Sequence, residues 1–98
     1  MTLEEARLKL GEALADPRRR QLAHIAILDI AMAVRQALET RGGPGLDVQE
    51  ATEAISTYLS GEIDSLPTAE VAGGALNDIV NEAIQETSQK PAFAGLFG

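Results

Sequence analysis

Between the ADP of residues 15–17 and the RGGPG of residues 41–45 lies a stretch with neither glycine nor proline. Proline disfavours helix in the residue before it but fits a first helical position, and Asp16 ahead of it is a good N-cap. At the other end Gly42 can take the left-handed cap conformation, and Arg41 suits the negative end of the helix dipole. The spacing predicts one helix over 17–41, about 36 Å long at about 1.5 Å per residue. Its middle, HIAILDIAMAV from His24 to Val34, is apolar nearly all round, interrupted by Asp29. Helices of that kind are buried. A chain of 98 residues builds one small core, so this second helix is expected at its centre.

Three more helices are expected around it. Thr2 and Glu5 have the spacing of a capping box, and Leu3, Ala6, Leu10, Ala13 and Leu14 follow at helical intervals over 3–15. Asp47 and Glu50 repeat the capping pattern ahead of a helix over 48–64. There Val48, Ala51, Thr52, Ile55, Leu59 and Ile63 form an apolar stripe with Tyr58 at its edge. Gly61 is a candidate early stop. A fourth helix over 69–88 carries Val71, Ala72, Leu76, Ile79, Val80, Ala83 and Ile84 on one face. The AGGA at 72–75 inside it suggests close approach of a neighbouring backbone or, as the alternative, a bend, since each glycine costs about 1 kcal/mol against alanine. The expectation is an all-α fold: a small four-helix bundle over 1–89 with a long central second helix, and an apolar tail over 90–98 that is irregular or a short turn of helix.

The composition supports that fold class and removes several kinds of chemistry. Only Tyr58, Phe93 and Phe97 are aromatic, so the core is built from Leu, Ile, Val and Ala, which suits packed helices better than a β-sandwich. There is no cysteine, which rules out disulfides, thiolate metal sites and a thiol nucleophile. The single histidine, His24, has no glutamate three residues before it, so a di-iron bundle motif is absent. Nor is there a nucleophile–base set or a glycine-framed serine. RGGPG is a helix stop and not a phosphate loop, lacking the Lys and the strand–helix context. The expectation is therefore a non-enzymatic protein without cofactor or metal. The N-terminus MTLEEARLKL is charged and amphipathic, unlike a signal peptide. The longest apolar run falls short of the roughly 20 residues of a membrane span. These features point to a cytoplasmic protein with no membrane partner.

Charge is uneven along the chain. Residues 1–41 carry seven bases and six acids, and residues 42–98 one base and nine acids, giving the net −7. An acidic half repels phosphate backbones, so nucleic acid is an unlikely partner. The triplet Arg18, Arg19 and Arg20 is the candidate anion contact. It sits in the first turn of the second helix, where the dipole disfavours positive charge, and pairing with Glu12 and Asp16 is the structural alternative.

Asp29 is the residue that most invites a functional reading. His24 lies about 140° from it around the helix at about 100° per residue, so an in-helix His–Asp relay fails. Ile25, Met32 and Gln36 share its side. Asp29, Met32 and Gln36 are therefore candidate partner-binding residues, the carboxylate meeting either water or a partner across an interface. If buried it needs a counter-group: an arginine, the Tyr58 hydroxyl or a helix N-terminus.

The segment PAFAGLFG, residues 91–98, holds two of the three aromatics. Phe93, Leu96 and Phe97 either fold back into a groove of the bundle or serve as a docking peptide for a protein partner. This octapeptide resembles the short apolar C-terminal peptides that target cargo into protein shells. The resemblance implies a docking role for the tail and does not extend to the helices. The expected function is a protein–protein interaction module, an acidic adaptor or assembly protein that also binds itself as a homo-oligomer. The alternatives are an acidic regulator or inhibitor that blocks a basic, nucleic-acid-binding surface of a partner, and a DNA-binding regulator using Arg18–Arg20.

Overall fold

The computed structural model describes residues 2–41, 47–63 and 76–97. Among these the chain forms α1 (Leu3–Ala15), α2 (Arg20–Arg41), α3 (Val48–Leu59), α4 (Leu76–Ser88), a 3₁₀ turn (Pro91–Phe93) and a short α5 (Ala94–Phe97), with no strand. The fold is all-α, and α2 is both the longest helix and the one that packs against α1, α3 and α4. Helix starts follow the sequence closely. Thr2 accepts a hydrogen bond from the Glu5 amide at 3.2 Å, and Asp47 accepts one from the Glu50 amide at 3.0 Å, each satisfying an amide that the helix itself leaves unpaired.

Two boundaries differ from the sequence reading. Residues 17–19 form a hydrogen-bonded turn and α2 proper begins at Arg20, although the Arg20 amide already bonds the Asp16 carbonyl. The third helix ends at Leu59, not at 64, because Gly61 adopts a left-handed conformation (φ 80°) and turns the chain. The fourth helix is described from Leu76, so the start at 69, Val71 and Ala72 of its stripe and the AGGA segment lie outside the described residues.

The core is aliphatic, as the composition requires. Leu10 of α1, Ile30, Val34 and Leu38 of α2, Ile55 and Leu59 of α3, and Ile79, Val80 and Ile84 of α4 are all essentially sealed from water. Ala6 and Ala13 on α1 and Ala23 and Ala26 on α2 are fully buried too. Their short side chains let these helices approach closely. Tyr58 is buried, not marginal, and the Arg7 guanidinium sits 4.4 Å from its ring centroid. The same guanidinium donates to the Ile63 carbonyl at 2.7 Å, tying α1 to the turn after α3.

The tail is the main correction. Residues 91–97 are not irregular but wind into a 3₁₀ turn and a helical turn. Phe93, Leu96 and Phe97 are each at most 6% exposed and belong to the same hydrophobic cluster as the four long helices. Pro91 opens this segment, where its missing amide costs nothing, and Lys9 of α1 donates to the Phe97 carbonyl at 3.1 Å at its end. A docking role for these three side chains would require them to leave the core. The physical reason is the cost of leaving two phenylalanines and a leucine in water, which burial against the bundle removes.

Candidate interaction site on the second helix

The burial of α2 is one-sided. Ala23, Ala26, Ile27, Ile30, Ala31, Val34 and Leu38 are buried at the i, i+3, i+4 spacing of a single face. The opposite face leaves Ile25 48%, Leu28 62% and Met32 65% exposed. The expectation of a helix buried all round is thus corrected: three packed neighbours cover the inner arc, and the outer arc meets water. Isolated exposed aliphatics are ordinary on protein surfaces. Three of the four large hydrophobics exposed among the described residues follow one another along this face.

Asp29 stands at the edge of this face, and its side chain is 31% exposed. Thr87 of α4, itself buried, donates its hydroxyl to Asp29 Oδ2 at 2.8 Å. The Lys90 ammonium donates to both carboxylate oxygens, at 3.0 and 2.9 Å. The sequence pointed to an arginine, Tyr58 or a helix N-terminus as the counter-group; α4 and the turn after it supply it instead. Partial burial pushes the Asp29 pKa up, but the hydrogen bonds from Lys90 and Thr87 and the Lys90 charge outweigh it, so the carboxyl titrates below its ordinary value. The bond joins the centre of α2 to the residue that precedes the tail, and so fixes where the tail turns into the core.

A lowered native pKa sets the sign of the pH dependence. The stabilisation from ionised Asp29 is fully present above the unfolded carboxylate value of about 3.9 and is lost as pH falls through the lower native value. Asp29→Asn is expected to cost about 1 kcal/mol at pH 7, since the lysine is half in water. Urea unfolding of both proteins from pH 7 to pH 3 should show that difference hold constant above about pH 5 and shrink below it. A difference independent of pH would rule out the ionised contact.

Met32 and Gln36 lie with Asp29 along a cleft between α2 and α4 that also takes in Arg35, Glu86 and Lys90. The structure therefore brings Asp29, Met32 and Gln36 together, while Phe93, Leu96 and Phe97 are placed apart from them in the core. The arginine triplet divides. Arg19 pairs with Asp16 at 2.9 Å, and Asp16 also accepts from the Arg18 amide at 3.0 Å. These two bonds, the amide's first, hold the Asp16 carboxyl below its usual range. Arg20 donates through Nε to the Leu14 carbonyl at 3.0 Å. Arg18 and Arg20 are exposed and in no ion pair among the described residues. Glu12 does not pair with the triplet.

Sequence reasoning set Ile25 beside Met32 and Gln36 on the Asp29 side, which is exposed, but missed Leu28 and the part played by Thr87 and Lys90. Asp29 and Gln36 marked one side of the uncovered arc, and the apolar pattern did not show that it reaches as far as Leu28. No group of three or more His, Asp or Glu capable of holding a metal occurs among the described residues. By length and composition α2 does reach what a membrane span requires, with a mean hydropathy of 1.2 in its most apolar window. The run counted in the sequence stops at Asp29 and so understates this. The central helix of a small bundle meets the same criterion, and the inner face of α2 is taken up by α1, α3 and α4. No protein-family model, curated protein or solved structure matches this chain.

Proposed function

We propose that this protein is a protein-interaction module of non-enzymatic type, an assembly or adaptor protein that works through the outer face of α2. The observation that supports the reading is the exposed row Ile25, Leu28 and Met32 on the helix that also organises the core. A face borne on the most firmly packed element is held rigid before binding, which lowers the ordering cost of association. The acidic surface beside it, with Glu39, Glu82 and Glu86 exposed, keeps such an apolar row soluble and biases partner choice by charge.

The test compares the wild-type chain with a Leu28→Glu/Met32→Glu variant as bait in extract of the source cells. Both substituted positions are on the surface, so helicity should be unchanged, as should the melting temperature when measured dilute enough to keep both chains monomeric. The wild type is expected to retain a partner, whether further copies of itself or another polypeptide, that the variant loses. Identical retained proteins on both baits would overturn the reading.

A further inference from the structure

The row on α2 has an arrangement that a second copy of the same chain would complete. Resting on the interaction reading above, we propose that two copies pack α2 against α2 in antiparallel fashion, about a two-fold axis passing beside Leu28. An isologous contact requires the same patch to complement itself under that rotation. With the axis between positions 28 and 29, Ile25 lies level with the partner copy's Met32, Gln21 with its Gln36, and the two Leu28 side chains meet beside the axis. Large apolar side chains face one another at the centre, and polar amides close each end.

Charge selects the antiparallel orientation. At the N-terminal end of α2 stand three bases, Arg18, Arg19 and Arg20, against one acid, Asp16. At its C-terminal end Arg41 pairs with Glu82 of α4 at 3.3 Å and Arg35 with Glu39 at 3.2 Å. Glu86 adds a further acid on the same side, which leaves three acids against two bases. Reversal of one α2 against the other brings the basic end of each copy level with the acidic end of its mate. A parallel pairing would set two arginine clusters side by side.

The helical angles agree with this. Gln36 lies about 80° from Leu28, at about 100° per residue, on the side where α4 lies. A two-fold axis perpendicular to the helices keeps that side common to both copies. The basic turn ahead of α2 in each copy therefore comes to the acidic end of its mate, where Glu39 and Glu82 stand. The two Asp29 carboxylates come to the flank of the axis, each already balanced by its own Lys90.

The absence of cysteine from the chain makes the arrangement directly measurable. Light scattering on the purified full chain, from micromolar to submillimolar, should show a concentration-dependent dimer that Leu28→Glu reduces to monomer. Arg18→Glu should weaken the dimer at least about tenfold, because a symmetric interface loses the contact twice. Mixing it with a Glu82→Lys/Glu86→Lys variant should restore dimers, since one contact is then swapped and the other native. Under oxidation, a mixture of Gln21→Cys and Gln36→Cys chains should form the disulfide-linked heterodimer while neither alone links to itself.

A monomer throughout, or a dimer indifferent to Leu28→Glu, overturns the proposal. Cross-linking of each cysteine variant to itself gives a parallel pair and overturns it equally. A purified monomer whose α2 face still captures a different polypeptide in the bait experiment would sink the self-pairing while leaving the interaction reading in place.

Discussion

Replacement of Phe93 by alanine is expected to cost about 3–5 kcal/mol, the range for emptying a buried aromatic site. For a domain of this size that lowers the melting temperature by more than about 10 °C, measurable by circular dichroism. Phe93 is 5% exposed and shares the core with Leu96 and Phe97. The tail is also held at both ends, by Lys90 on Asp29 and by Lys9 on the Phe97 carbonyl. Deleting residues 91–98 should be more severe still, leaving helical secondary structure with loosened packing or an unfolded chain. A melting temperature unchanged by either alteration would show that the tail is dispensable to the fold, and would return it to the role of a free docking peptide.

The second large effect contrasts two neighbours on α2. Ile30 is fully buried and Leu28 is 62% exposed. Ile30→Ala should destabilise by about 2–5 kcal/mol, from lost burial and the cavity left behind. Leu28→Ala should change stability by no more than about 0.5 kcal/mol when measured dilute enough to keep the chain monomeric. Urea unfolding of the two variants decides the matter. Equal losses would mean that α2 is covered on both sides even in the isolated chain. Since residues 64–75 lie outside the described structure, this pair of substitutions tests the one-sided burial of α2 directly.

Much of the fold was legible in local chemistry. The capping residues Thr2 and Asp47, the Asp16–Pro17 step and the stripe on each helix act over three or four residues, and a sequence displays interactions of that range. Gly61 belongs with them: only a residue free of a Cβ adopts its backbone conformation at low cost. The tail was half legible. Phe93, Leu96 and Phe97 announced that something large and apolar had to be covered, but periodicity over so few residues cannot tell a plug from a docking peptide.

The candidate site was legible only as a question. Asp29, Met32 and Gln36 share a side of α2 by helical angle alone, and the structure keeps them together along one cleft. The polar Asp29 and Gln36 marked the outward side, but how far it extends was not written locally, because Leu28 is as apolar as Ile27 and Ile30. That extent depends on how many helices there are to pack and where the loops allow them to go. The partners of Asp29 lie 58 and 61 residues away along the chain, a separation across which no spacing rule operates.

The sequence alone settles that this chain is helical, that its second helix organises it, and that its chemistry lacks the residues of thiol and cysteine–metal sites. Those outcomes follow from backbone propensities, caps and composition, each of which acts within a turn of helix or over the chain as a whole. Tertiary packing settles the rest: that the phenylalanines turn inward, that Asp29 clasps the start of the tail, and that Ile25, Leu28 and Met32 on the outer face of α2 are exposed. The reason is geometric. A helix can be apolar on every side, but in a chain this small only its inner arc finds neighbours, and what remains uncovered is set by the arrangement of the others.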